Sequence, residues 1–137
     1  MKSISTTATS LLLVGALAFG ACGGSTATDT NLETLPVGEI EEIVASPPAD
    51  LILLDIRTPE EFAAGHLAGA INVDYYANDF EDRLAELNLE VPYVMYCNSG
   101  NRSSNALPVM DSLGFQEVYE LDGGIQAWFS ANLPIEQ

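Results

Sequence analysis

Cys97 ends the apolar run Tyr93-Val94-Met95-Tyr96 and opens the polar run Asn98-Ser99-Gly100-Asn101-Arg102-Ser103. That order of residue types can turn a thiol into a nucleophile. Gly100 adopts backbone conformations closed to residues with a Cβ, so successive amide N–H groups can converge into an anion-holding nest. A helix beginning near Ser103 would add its positive end. Both features favour thiolate over thiol, and the thiolate is the form that attacks. A free cysteine with a pKa of about 8.5 is roughly 3% ionised at neutral pH, whereas a depression of about two units, worth about 2.7 kcal/mol, makes it mostly thiolate. Several aligned N–H donors suffice for that. The alternative is an inert core cysteine, in which case the sulfur would lie among apolar neighbours with no donors aimed at it.

The elements that must position this loop follow from periodicity. From Pro36, Val37, Ile40, Ile43 and Val44 have helical spacing until Ser46-Pro47-Pro48. Leu51 to Ile56 is apolar on both faces except at Asp55, which suits a central strand of a parallel sheet. Thr58-Pro59-Glu60-Glu61 supplies an N-cap, a first-turn proline and two first-turn acids for a short helix. Further strands are expected at Ala70 to Val73, Val91 to Cys97 and Glu117 to Leu121. Further helices are expected at Asn78 to Leu87, from about Ser103 to Leu113-Gly114, and around Ile125 to Ala131. Pro108 falls about six residues into the helix after the loop, where a kink or a shifted helix start is expected. The sum is an α/β fold with a mostly parallel sheet, and ligands of such sheets bind at the carboxyl ends of strands, where Cys97 stands.

Composition narrows the function. With 137 residues, 47% hydrophobic and 18% charged, the chain has the make-up of one globular domain and not of a disordered or acidic solvating protein. Four Lys and Arg against twenty Asp and Glu give a net charge of −16, which repels a phosphate backbone, so nucleic acid is excluded as a partner. Two cysteines, Cys22 and Cys97, and the single His66 are too few for a disulfide scaffold or a zinc site, and no metal or other cofactor is expected.

Residues 1–21 carry Lys2, a Ser/Thr-rich stretch, an apolar run from Leu11 to Phe19, and the small pair Gly20-Ala21 before Cys22. This is the grammar of an export signal, and the run is about half of the roughly 20 residues that a membrane-spanning helix needs. Phe19-Gly20-Ala21-Cys22 resembles a bacterial lipobox, which implies a lipid on Cys22 after cleavage. The other reading is an ordinary secretory signal cut near Ala18-Phe19-Gly20. Cleavage before Cys22 leaves Arg57, Arg83 and Arg102 as the only basic side chains apart from His66. Residues 22–34 then read as the attachment cysteine and a flexible tether on the order of 20 Å long. Residues 35–137 form the folded domain, held in the cell envelope outside the cytoplasm.

Four stretches make the domain resemble the rhodanese family of sulfurtransferases. They are Leu54 to Phe62 (LDIRTPEEF), Gly65 to Val73 (GHLAGAINV), Tyr96 to Ser103 (YCNSGNRS) and Leu121 to Trp128 (LDGGIQAW). The resemblance implies a rhodanese-like three-layer sandwich, with a five-stranded, mostly parallel sheet and helices on both faces. It also implies that Cys97 takes a sulfane sulfur as a persulfide and passes it to a thiol or cyanide. Asn98, Ser99, Gly100, Asn101, Arg102 and Ser103 would bind the substrate, with Arg102 pairing with the incoming anion or with Asp55. Arg57 is either structural or aimed at the cleft. Asp55, His66, Gly123, Gly124 and Trp128 are expected to hold the fold, the glycines and Trp128 by packing the last helix.

Four residues separate Cys97 from Arg102, whereas phosphatases of this family have a cradle one residue longer, so sulfur chemistry is favoured over phosphorus chemistry. Asn98 and Asn101 leave the loop uncharged apart from Arg102, so a small dianion such as thiosulfate should be captured slowly and less charged persulfide donors preferred. Two other readings remain: a catalytically weak module that binds a protein partner or delivers sulfur to it, and a phosphatase-like enzyme. The sequence does not name a protein partner.

Overall fold

The computed structural model describes residues 29–137. Five strands, β1 (Asn31–Leu35), β2 (Ile52–Asp55), β3 (Ile71–Asn72), β4 (Pro92–Tyr96) and β5 (Glu117–Leu121), form one sheet in the order β1-β5-β4-β2-β3. Every pairing is parallel. The helices between them are α1 (Val37–Ala45), α2 (Pro59–Ala64), α3 (Phe80–Ala85), α4 (Asn101–Leu113) and α5 (Gly124–Ser130).

The pleat sorts the apolar residues onto two faces. Leu54, Tyr93, Met95 and Val118 meet Phe80 and Leu84 of α3 and Ala106 and Met110 of α4. On the other face Leu53, Val94, Tyr96 and Leu121 meet Ile40 of α1 and Ile125 and Trp128 of α5. Cys97 continues the alternation onto the α3/α4 face, which brings it beneath the start of α4. Thr58 caps α2 as expected, with its side chain accepting from the Glu61 amide and the Glu61 carboxylate accepting from the Thr58 amide.

Two expectations need correction. The tether does not run to Thr34, because Asn31 to Leu35 pairs with Glu117 to Leu121 as an edge strand. Its polar, largely exposed pattern at Asn31, Glu33 and Thr34 hides it from hydrophobic periodicity. Residues 1–28, which include the expected signal and Cys22, lie outside the described residues. The helix after the loop starts at Asn101, two residues before Ser103, and continues through Pro108 to Leu113. Pro108 and Ser104, whose carbonyl loses its i+4 donor, are both exposed, so water can satisfy that carbonyl.

Candidate active site

Cys97 follows the last residue of β4, and the loop after it turns into α4 through Gly100, whose φ of +97° is left-handed. This turn aims the Gly100 amide at the Cys97 sulfur, 3.1 Å from nitrogen to Sγ. Ser103 Oγ lies 3.4 Å from Sγ. Cys97 is only 1% exposed and touches the apolar cluster of the α3/α4 face, so its surroundings are apolar on one side and dipolar on the other. Burial pushes the thiol up. The Ser103 hydroxyl and the amides of Ser103, Gly100 and Ser99 outweigh it, so the thiol lies below its ordinary value.

The loop amides face the sulfur because its carbonyls are held from behind. The Cys97 carbonyl accepts from the Ile125 amide at 2.9 Å, and the Asn98 carbonyl accepts from the Gln126 amide at 3.1 Å. Gly124 is what allows α5 to come this close: a Cβ there would stand 2.5 Å from the Cys97 carbonyl oxygen and 2.6 Å from Asn98 C and O. The Gly123-Gly124 pair therefore braces the loop as well as opening the last helix. The sequence points to packing of the last helix for these glycines, and their spacing to Cys97 carries no signal of a brace between segments so far apart.

The two arginines point in different directions. Arg57 is 4% exposed, donates from Nε and Nη2 to Asp55, and reaches the Gly65 carbonyl at 2.6 Å. Burial works against its cation, but Asp55 more than offsets that and raises its pKa. Arg102 does not pair with Asp55. Its Nη1 and Nη2 each donate at 2.8 Å to a separate oxygen of Glu61, and the Tyr76 ring covers it 5.4 Å away. Glu61 holds Arg102 above its usual value, and Arg102 in turn pulls the Glu61 carboxyl down to about 2. Glu61 and Tyr76 were not recognised as site residues. From sequence Glu61 reads as one of two acids in the first turn of a short helix, and nothing local links it to Arg102.

His66 and Trp128 make their contacts away from the sulfur. His66 Nδ1 donates to the Phe62 carbonyl at 3.0 Å, its ring stacks on Phe62, and its main chain bridges to Glu136. Trp128 Nε1 donates to the Pro134 carbonyl at 2.9 Å. Asn98, Ser99 and Asn101 line the outer rim of the loop, with Ser99 and Asn101 exposed. A cavity of about 420 Å³ lined by Tyr75, Phe80, Glu81 and Val109 contains none of the loop residues; it is the sulfur and its donors, and not cavity size, that locate the site. Among the described residues no group of His, Cys, Asp and Glu is placed to hold a metal ion.

Comparison with known proteins agrees with this geometry. The rhodanese-like domain model matches residues 37–131. The thiosulfate sulfurtransferase GlpE of Ectopseudomonas mendocina is 36% identical over 85 residues, 62% of this chain and 75% of that protein. GlpE of Pseudomonas aeruginosa is 38% identical over 78 residues, 57% of this chain and 69% of that protein. Among solved structures, a rhodanese-related protein of Thermoplasma volcanium superposes with a TM-score of 0.66 at 25% identity, covering 76% of this chain and 97% of that one. A Rhodopseudomonas palustris protein described as a possible tyrosine phosphatase superposes with a TM-score of 0.67 at 26% identity, covering 77% and 85%. The chain belongs to the rhodanese-like family and carries a rhodanese-like domain of the sulfurtransferase type.

Proposed function

We propose that the protein moves a sulfane sulfur from thiosulfate or a persulfide donor to a thiophilic acceptor, a thiol or cyanide, through a persulfide on Cys97. The observation that carries this reading is the Gly100 amide aimed at Cys97 Sγ within a loop of four residues between Cys97 and Arg102. The thiolate attacks the outer sulfur of the donor. A Cys97 S–S bond forms, the donor's S–S bond breaks, and the electron pair leaves with the donor remnant, sulfite in the case of thiosulfate. Charge is conserved, because the persulfide retains the single negative charge of the thiolate. The acceptor then attacks the outer sulfur and restores the thiolate.

The rim supports a preference among donors. Arg102, the one cation of the loop, is neutralised by Glu61, and the chain as a whole carries −16. A dianion therefore meets little attraction, and less charged persulfides are the better donors. Adding salt should leave the thiosulfate rate unchanged or raise it; a falling rate would argue for attraction. The export grammar of residues 1–21 and the lipobox-like Phe19-Gly20-Ala21-Cys22 support an enzyme tethered by a lipid on Cys22 and working in the cell envelope.

Mass spectrometry of the full chain after exposure to thiosulfate or a persulfide tests the transfer. The expected result is a gain of one sulfur atom on the Cys97 peptide and none in Cys97→Ser. No gain with either donor would leave a partner-binding module as the better reading. Release of phosphate from a phosphorylated substrate would favour the phosphatase reading that the Rhodopseudomonas relative's description suggests for that protein.

A further inference from the structure

Behind the catalytic loop lies a buried acid that the transfer chemistry does not use. Glu120 of β5 is 2% exposed, and among the described residues no cation pairs with it. Its Oε1 accepts from Ser103 Oγ at 2.7 Å, and its Oε2 accepts from Thr34 Oγ1 of β1 at 2.6 Å. Ser103 Oγ is the atom 3.4 Å from Cys97 Sγ, so a continuous chain runs from Thr34 through Glu120 and Ser103 to the sulfur.

Counting protons shows what this chain does. A serine hydroxyl has one hydrogen to give. Around Ser103 Oγ stand three groups that can take it: the Gly100 carbonyl at 3.2 Å, Glu120 Oε1 at 2.7 Å and Cys97 Sγ at 3.4 Å. The Glu120 carboxyl oxygen, at the shortest distance, takes the larger share of it. The sulfur therefore receives less of this hydroxyl than it would without Glu120 and leans more on the loop amides. If position 120 instead donates to Ser103 Oγ, or offers nothing, the hydroxyl hydrogen is free to turn to the sulfur.

We propose that Glu120 is a positioning residue that acts through Ser103: its hold on the one hydroxyl hydrogen sets how far Ser103 supports the negative charge of Cys97. The inference deepens the sulfurtransferase reading and rests on it only for its consequence, since the reactivity of the thiol is measurable without sulfur transfer. Few other charges face this chain. From α4 come Arg102, turned away to Glu61, and the exposed Asp111. The pleat places Glu33 of β1 and Glu117 of β5 on the opposite face of the sheet from Glu120.

The test is the pH profile of Cys97 alkylation by iodoacetamide, a neutral reagent, in the full chain, with the Cys97 peptide followed by mass spectrometry. In Glu120→Gln the amide nitrogen donates to Ser103 and the amide oxygen still accepts from Thr34, so the profile should move to lower pH by about one unit, about tenfold faster alkylation below the midpoint. Glu120→Met, which replaces the buried carboxyl with an apolar side chain of similar size, should move it the same way. In a Ser103→Ala protein both substitutions should shift the profile by clearly less, since only the direct field of the side chain at position 120 then acts. An unmoved or upward-moved midpoint in both variants overturns the proposal, as does an equal shift without Ser103. A chain that shows the shifts but takes up no sulfur overturns the transfer reading alone. A chain that loads sulfur with an unmoved profile overturns the coupling alone.

Discussion

The carboxyl ends of β2 and β4 lie side by side, with Asp55 in register with Tyr96, yet they handle charge in opposite ways. At the β2 end, Asp55 receives the Arg57 amide and guanidinium, and Asn72 Nδ2 ties the carbonyls of Asp55 and Arg57 together. Each charge there is matched by a full countercharge and locked out of solvent. At the β4 end the Cys97 sulfur is met by amide dipoles and a hydroxyl, while the nearby guanidinium of Arg102 is turned to Glu61. A countercharge makes a group stable and inert. Dipoles fixed by the main chain favour the anion while leaving it free to form a bond.

Four substitutions break or sharpen this contrast. Cys97→Ser should abolish sulfur uptake completely, as read by mass spectrometry, while urea unfolding changes little, because serine can still accept from the Gly100 amide. Asp55→Ala should do the reverse at the neighbouring strand end. It strands a buried guanidinium and should cost about 3–5 kcal/mol in urea unfolding, and a loss well below that would mean that the ion pair is not what holds the β2 end.

Gly124→Ala tests the brace. It puts a Cβ against the main chain of Cys97 and Asn98 and also requires a left-handed φ of +59° from alanine. The loop must shift, and amides that no longer reach the sulfur leave less thiolate at neutral pH, so Cys97 alkylation should slow about tenfold for each unit by which the thiol rises. Alkylation at the wild-type rate would show that the cradle does not depend on α5. Glu61→Gln has the smallest effect. The Glu61 carboxyl is held down from 4.5 to about 2 by Arg102, so the pair stabilises the fold fully above about pH 4.5 and loses that contribution as pH falls through about 2. Thermal melts of wild type and variant should differ by about 1 kcal/mol or less at neutral pH, because the pair is partly exposed, and should converge on acidification. A gap that widens toward low pH would contradict the pairing.

Much of this was legible without coordinates. The apolar run before Cys97, the glycine three residues after it and the cap at Thr58 are local signals, and the structure places a strand, a left-handed turn and a capped helix there. The edge strand β1 was read as tether because only Leu32 and Leu35 carry apolar side chains in it, and a polar edge strand has no period to detect. Glu120 was passed over for a related reason. In the run Glu117-Val118-Tyr119-Glu120-Leu121 the acid shares a face with buried Val118, a signal that becomes meaningful only once that face is known to be the covered one.

By itself the sequence determined the order of elements after β1, the place of Cys97 at a strand end and the length of its loop, because these depend on neighbours within a few residues. Only the tertiary structure decided which partner each charged group takes. Glu61 reaches Arg102 across 41 positions, Ser103 meets Glu120 across 17, and Thr34 meets Glu120 across 86. Hydrogen bonds of about 3 Å between such distant residues are set by sheet order and helix packing, which no local pattern encodes.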